Sequence, residues 1–499
     1  MKDDFKLRPY QQRDIMAWIK TGYRGAWFWD PGLGKTFAGS YCARNMLRKK
    51  MIRKVFISGP AAAIPTWYNF LIRTMQIPEN YIFNFCDPKH ELRGYSGEMF
   101  ILCNYEKLPQ PPNKEKKKTK LTQVVTPDGK FRMVSRAVVD NRKERLFPMD
   151  IDLWILDESH KAKSHTSIAY KFFKRTIKPE DKLLLMTGTP FPNRLIDSFA
   201  QMDLIHPGVL GKNISAFRKN YCVEVKKQFN IWRVLPEKSS YIESVIARYA
   251  WFKSAEVYLD IPDLTYSDLI YTPTDAQEAF IKDCSKGIVS VEEKSRKMLL
   301  KTPEIGFMIG QQALSGYVDM TVTPKDKLVD KIHIEREFSM APKMDVTEMF
   351  LESLGGKKVI IWIYFKETAR RVGEHLASLG YKVDVFTSKT KKNLEKRILE
   401  FTQGDVQILV SHPAIIGIAM NYFTPIQYML WYELTWDWGA YHQCVTRIYR
   451  SGQRNPTFCY HLLGHDFEEK QVSALKNKQD VHEVLSGNDP TNQRRNDEH

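Results

Sequence analysis

The chain has 499 residues, 43% of them hydrophobic, and 75 Lys and Arg against 58 Asp and Glu give it a formal net charge of +17. That length allows two or three domains with sizeable cores, and no run of about eighteen apolar residues is present that could cross a membrane as a helix. The positive balance points to a polyanion, and with no basic amphipathic anchor in sight it favours nucleic acid over a membrane surface.

The N-terminus, Met1-Lys2-Asp3-Asp4-Phe5, lacks the apolar core of a signal peptide, so a cytosolic or nuclear location is expected. The next informative stretch, Gly25-Ala26-Trp27-Phe28-Trp29, predicts a short buried strand. It runs into the glycine-rich Asp30-Pro31-Gly32-Leu33-Gly34-Lys35-Thr36 and then into a helix from about Thr36. In that context backbone N–H groups wrap phosphates, the Lys35 ammonium reaches the β and γ oxygens, and the Thr36 hydroxyl is offered to Mg²⁺. The strict pattern places a glycine where Trp29 stands, so taken alone the stretch also fits a glycine-rich turn with a surface lysine. Further apolar runs at 55–59, 99–103, 151–156 and 183–187 alternate with helix-patterned segments and predict a largely parallel sheet. The run Ile151 to Leu156 delivers Asp157 and Glu158 at its C-terminal end, where ligands bind in α/β sheets. Asp157 is suited to hold a metal, usually through water, and Glu158 to take the proton from the water that attacks a γ-phosphate.

Between those runs, Gln110 to Pro148 carries eleven basic and four acidic residues, an excess of +7 that includes Lys116, Lys117, Lys118 and Lys120. Leu121–Val125 and Phe131–Val139 flank Thr126-Pro127-Asp128-Gly129 as an expected hairpin. This basic flap, 110–148, is read either as a nucleic-acid clamp or as a solvated loop. Residues 206–345 are richer in charged helix pattern and irregular strands, and are expected to form a helical protrusion and linker. A second set of runs, at 358–364, 382–386, 407–410, 428–432 and 458–461, repeats the alternation of strand and helix. The last stretch, 486–499, is a polar tail. The seven cysteines are scattered and never spaced as Cys-x-x-Cys, which argues against a disulfide framework or a zinc site and reads as small core residues. Near the C-terminus, Arg447 and Arg450 stand three apart, as on one face of an exposed helix.

Taken in order, from about residue 7 to 480, these segments resemble the Swi/Snf-type translocase branch of superfamily 2 helicases. Leu7-Arg8-Pro9-Tyr10-Gln11 resembles that branch's adenine-reading motif. Asp30 to Thr36 is similar to its Asp-Glu-Met-Gly-Leu-Gly-Lys-Thr loop, which also lacks the first glycine. Ser58-Gly59-Pro60 with Trp67, Cys103-Asn104-Tyr105-Glu106, and Thr187-Gly188-Thr189-Pro190 followed by Asn193 resemble the next motifs. Gln443-x-x-x-Arg447-x-x-Arg450-x-Gly452-Gln453 resembles the motif that closes the ATP site.

The resemblance implies an α/β fold of two RecA-like parallel-sheet lobes, 1–205 and 346–485, with a helical insertion between them. It implies ATP and Mg²⁺ as cofactors, with Arg8, Gln11, Gly32, Leu33, Gly34, Lys35, Thr36, Asp157 and Gly417 binding them and Thr36 and Asp157 on the metal side. Lys35, Glu158, Arg447 and Arg450 are then catalytic, the two arginines facing the γ-phosphate across the cleft, while His160, Thr187, Thr189 and Gln443 couple hydrolysis to movement. The implied partner is DNA, chiefly duplex and gripped through its phosphates, and the implied location is the cytoplasm. Ser411 to Gly417 and Leu434-Thr435-Trp436 resemble the compact versions that bacteriophages often encode, which would place the enzyme in host cytoplasm. Two departures stand out. Gly417-Ile418-Ala419-Met420-Asn421-Tyr422 replaces Gly-x-Gly-x-Asn-Leu, and the usual Leu-Arg-Arg is absent near Trp251-Phe252-Lys253. Three readings stay open: a duplex translocase, a strand-separating DNA or RNA helicase, and a DNA-binding factor whose ATPase has decayed.

Overall fold

The computed structural model describes residues 6–61, 63–87, 97–108, 119–125, 131–137, 150–191, 195–226, 231–285, 288–291, 296–299, 303–322, 332–386, 393–416, 421–450 and 452–487. The chain divides into two compact units, one of Met1–Val257 with His482–His499 and one of Tyr258–Val481.

The strands of the first unit are β1 (Arg24–Trp29), β2 (Lys54–Gly59), β3 (Ile82–Asn84), β4 (Met99–Asn104), β5 (Thr119–Val125), β6 (Phe131–Ala137), β7 (Leu153–Asp157), β8 (Lys182–Met186), β9 (Cys222–Lys226), β10 (Ile231–Val234) and β11 (Ala250–Lys253). Seven of them form one sheet in the order β11-β1-β8-β7-β2-β4-β3, parallel throughout. Because helices return the chain over both faces, the central strands are buried on both sides and are apolar without alternation, as in Trp27-Phe28-Trp29 and Leu183-Leu184-Leu185. β5 and β6 pair antiparallel from Thr119↔Ala137 to Val125↔Phe131, the hairpin expected in the basic flap. Its turn and Lys116, Lys117 and Lys118 lie outside the described residues.

In the second unit, β12 (Leu264–Ile270), β13 (Ile288–Val291), β14 (Arg296–Leu299), β15 (Tyr317–Val322), β16 (Ile332–Glu337), β17 (Val359–Trp362), β18 (Val383–Phe386), β19 (Ile408–Ser411), β20 (Tyr428–Trp431) and β21 (Thr457–Leu463) follow. Six of these make a second parallel sheet, β12-β21-β20-β17-β19-β18. β17 shows why it needs cover on both faces: Ile360 and Trp362 enter one core, and Val359 and Ile361 enter the other.

The stretch 206–345 supplies β11 to the first sheet and β12 to the second, and the division between the units falls at Val257 and Tyr258. Ala250-Trp251-Phe252 and Leu264-Thr265-Tyr266 are each too short to stand out from charged surroundings, yet both find an open sheet edge to pair with. Among the described residues, no helix is long and apolar enough to cross a membrane.

Candidate nucleotide-hydrolysis site

In the first unit the loop after β1 is shaped by backbone conformation and braced from the N-terminal helix. Gly32 and Gly34 sit at φ 88° and 77°, where a side chain is strained, and a Cβ on Gly34 would lie 2.8 Å from Gln11 Nε2. The helix Lys35–Arg48 starts directly from Gly34 with no side-chain cap and no acid in its first turn. Its first N–H groups and positive dipole end are therefore left for an anion. Lys35 Nζ donates to the carbonyls of Trp29 at 2.6 Å and Asp30 at 3.2 Å, which folds the ammonium over the loop.

Tyr10 OH and Gln11 Nε2 both donate to the Leu33 carbonyl, at 2.7 and 3.0 Å, and Arg8 N donates to Gln11 Oε1 at 2.9 Å. Gln11 is buried, with both ends of its amide engaged by the protein, and it braces the loop after β1. Arg8 is exposed at the N-terminus of the helix Pro9–Lys20.

Asp157 ends β7, and the chain then turns through Glu158 in the left-handed region at φ 51°, ψ 51°. A non-glycine residue held there is strained, as is common where a side chain must be aimed for chemistry. Trp67 Nε1 donates to Asp157 Oδ2 at 2.8 Å and Tyr105 OH donates to the Asp157 carbonyl at 2.8 Å, so one aromatic residue holds the carboxylate and another the backbone that carries it. Burial, together with the neighbouring Glu158 charge, pushes the Asp157 carboxyl up to about 6. Burial acts on Glu158 in the same sense, but the hydrogen bond and charge of His160, the Lys35 charge and the Thr187 hydroxyl together hold it below the usual carboxylate range. Glu158 is thus a ready carboxylate base, and Asp157 is a buried acid whose ionisation a nearby cation would favour.

Thr187, just past β8, joins these pieces. Its hydroxyl donates to Glu158 Oε2 at 3.0 Å, lies 3.0 Å from His160 Nδ1, and accepts from Thr189 N at 3.1 Å. His160 Nδ1 stands 3.3 Å from Glu158 Oε2 and 3.4 Å from the Thr189 hydroxyl. Glu158 and the three residues expected to couple hydrolysis to movement on this side, His160, Thr187 and Thr189, therefore form one hydrogen-bonded cluster.

Several contributors are not evident from motif spacing. Gln201 accepts from Ser159 Oγ at 2.8 Å and donates to the Pro190 carbonyl at 2.6 Å, tying the segments after β7 and β8 together. Lys253, fully buried on β11, places Nζ 3.3 Å from Asp14 Oδ1, and Trp29 Nε1 donates to Asp14 Oδ2 at 2.7 Å. Asp30 N donates to the Lys253 carbonyl at 2.9 Å, and Ala255 N donates to Asp30 Oδ2 at 2.9 Å. Where the family's Leu-Arg-Arg is missing, Trp251-Phe252-Lys253 instead forms the edge strand that seats the nucleotide loop.

In the second unit the helix Trp438–Ile448 carries Gln443 and Arg447 one turn apart. Arg450 is not on the exposed helix face expected from its spacing: the helix ends at Ile448, Tyr449 leaves it at φ −80°, ψ 90°, and Arg450 is 9% exposed. Its Nε has no hydrogen-bond partner among the described residues, and burial with the like charge of Arg447 pulls its pKa down to about 10. The turn beyond is pinned by Gln453 Nε2 on the Ile426 carbonyl at 2.8 Å. A buried guanidinium edge with no acceptor is costly to fold and is positioned to take an anion. Gly417 and Asn193 lie outside the described residues.

Comparison with known proteins places these features. The SNF2-related domain matches residues 12–285 and the helicase conserved C-terminal domain matches residues 342–452. An uncharacterized ATP-dependent helicase of Bacillus subtilis, YqhH, is 21% identical over 91% of this chain and 75% of its own length. The DNA repair protein rhp54 of Schizosaccharomyces pombe is 20% identical over 90% of this chain and 54% of its own. A putative protein p41 of Acyrthosiphon pisum secondary endosymbiont phage 1 is 22% identical over 60% of this chain and 63% of its own. With a phosphate loop, an Asp-Glu pair and a buried arginine on the matched segments, the chain belongs to the SNF2-related family and is an ATPase of the Swi/Snf-like branch of helicase superfamily 2.

Proposed function

We propose that this chain hydrolyses ATP with Mg²⁺ to move along duplex DNA, remodelling DNA structures or the proteins bound to them. The observation that carries the reading is the joint electrostatics of the first unit, where the Lys35 charge acts on both Asp157 and Glu158 at the ends of parallel strands. A decayed ATPase has no reason to keep a strained Glu158, a buried Asp157 and a buried Arg450 whose Nε has no hydrogen-bond partner among the described residues. The net charge of +17 and the likeness to a DNA repair protein support DNA as the track.

In this reading the N–H groups at the start of the helix Lys35–Arg48 and the Lys35 ammonium bind the β and γ phosphates. Thr36 and Asp157 hold the metal, which when bound draws charge from the phosphate oxygens. The raised Asp157 carboxyl fits a cation site, because a divalent ion offsets the cost of an ionised acid in that setting. Glu158 accepts the proton from the attacking water, with the Thr187 hydroxyl fixing Oε2 and His160 beside it. Arg447 and Arg450 stabilise charge on the transferred phosphoryl group, a contribution of ~10³-fold or more. Gln11, Arg8 and Leu33 hold the loop beneath the nucleotide, and a direct base contact by Gln11 requires its amide to leave Leu33. Thr187 and Thr189 couple hydrolysis to movement because a shift of the segment after β8 alters the base directly. Lys116, Lys117, Lys118 and Lys120 of the flap add phosphate contacts that weaken steeply with salt.

The test is steady-state ATP hydrolysis at one low salt concentration without nucleic acid and with duplex DNA, single-stranded DNA or RNA, beside Lys35→Ala and Glu158→Gln. Strongest stimulation by duplex, lost in both variants and falling with added salt, supports the proposal. Strongest stimulation by single strands or RNA replaces it with a strand-separating helicase, and turnover at the variant level throughout removes the motor.

A further inference from the structure

Away from the nucleotide site, the first unit brings two cysteine sulfurs together. Cys86 follows β3, Cys103 is the penultimate residue of β4, and these strands are sheet neighbours with Asn84 opposite Leu102. The Cys103 thiol lies within hydrogen-bonding range of both the Asn104 carbonyl, at 3.4 Å, and the Cys86 sulfur. Asn104 N donates to the same sulfur at 3.3 Å, and Lys107, with Nζ anchored on the Cys86 carbonyl at 3.0 Å, adds positive charge beside it. Cys86 is half-buried and therefore reachable by a small solute, whereas Cys103 is buried.

The Cys103 hydrogen bond, with the Asn104 N–H and Lys107, outweighs burial and brings the Cys86 thiol down to about 7. Cys103 is pushed well above its ordinary value, first by burial and then by Cys86. The remaining cysteines, Cys42, Cys222, Cys284, Cys444 and Cys459, are buried and their thiols are all pushed up by burial. Among the seven cysteines Cys86 alone is set up as a nucleophile, with a second cysteine on the neighbouring strand, and the ATPase chemistry uses neither.

We propose that Cys86 and Cys103 form a peroxide-responsive dithiol–disulfide pair, with Cys86 the attacking and Cys103 the resolving sulfur. In the first step the Cys86 thiolate attacks one oxygen of hydrogen peroxide. An S–O bond forms, the O–O bond breaks, and the departing hydroxide leaves as water after taking a proton from solvent. In the second, Cys103 attacks the Cys86 sulfenic sulfur, the S–S bond forms, and the hydroxyl leaves as water with the Cys103 proton. Two thiols and one peroxide thus give one disulfide and two waters, with two electrons passing from sulfur to oxygen.

The experiment treats the full chain with about equimolar hydrogen peroxide and maps its peptides without reduction. The expected result is a cross-linked Cys86–Cys103 peptide pair, two hydrogens lighter and restored by dithiothreitol. In Cys103→Ser the sulfenic acid persists at Cys86 and is captured by dimedone. Because that variant removes a buried side chain, alkylation of the unmodified protein by iodoacetamide serves as a second measurement. Cys86 should react at least ~10-fold faster at pH 7 than any other cysteine, with its rate half-maximal near pH 7. Alkylation of Cys86 at the rate of the others, or peroxide carrying Cys86 to sulfinic acid with no cross-link, overturns the proposal.

Discussion

Replacing Asp157 by Asn should abolish ATP hydrolysis and at the same time stabilise the nucleotide-free protein. The Asp157 carboxyl moves from an ordinary 3.8 to about 6 on folding, through burial and the Glu158 charge. The folded state therefore binds this proton more tightly than the unfolded chain. The cost of ionising Asp157 builds up as pH rises from about 4 through about 6 and is fully present above that. Carrying the carboxyl from 3.8 to about 6 corresponds to about 3 kcal/mol. An asparagine removes that charge but has one acceptor oxygen where the carboxylate uses two, for Trp67 Nε1 at 2.8 Å and Glu158 N at 3.1 Å. Losing one of these bonds costs about 1 kcal/mol, leaving a net gain of about 2 kcal/mol near pH 7.5. For a unit of this size that is a rise in melting temperature of ~4–8 °C. Thermal melts of both proteins without nucleotide or divalent ions, from pH 5 to 8, measure it. The gain should shrink steadily towards pH 5. An equal or lower melting temperature for Asp157→Asn at pH 7.5, or a difference that does not change with pH, refutes the reasoning.

Other perturbations separate the parts of the site. Arg450→Ala should lower kcat by ~10³ while ATP still binds, since its guanidinium acts on the transferred group; single-turnover hydrolysis and equilibrium nucleotide binding, measured together, check this. Thr187→Val removes the hydroxyl shared by Glu158, His160 and Thr189 without changing shape, and should lower kcat by ~10–100-fold with KM held within about twofold. Lys253→Met leaves Asp14 as a buried charge without its lysine and should cost about 3–5 kcal/mol in denaturant unfolding. Combining it with Asp14→Asn should recover most of that loss, and a double variant no better than the single would show that the pair is not coupled.

The sequence makes the central strands easy to locate because each is an apolar run buried on both faces, so Trp27-Phe28-Trp29 and Ile360-Ile361-Trp362 stand out from any charged context. The phosphate loop and the Asp-Glu pair are legible for a related reason: their chemistry demands particular residue types at the end of such a strand. Edge strands are harder. Ala250–Lys253 and Leu264–Ile270 are stabilised by pairing partners that no local pattern reveals. Arg450 looks like the next exposed position on a helix, and only the break at Tyr449 turns it inward. The bracing of Asp157 by Trp67 and Tyr105 spans about ninety and fifty residues. Motif order brings those residues to notice, but folding alone assigns them their contacts.

ATP-driven motion along a duplex is tested most directly by displacement of a third strand from a triplex placed on duplex DNA, followed over time with ATP. The account predicts that the unmodified protein releases the third strand only when ATP is hydrolysed, that Glu158→Gln binds the duplex without releasing it, and that the underlying duplex stays paired. Vigorous ATP hydrolysis with no third-strand release, or release that proceeds equally in Glu158→Gln, would contradict it.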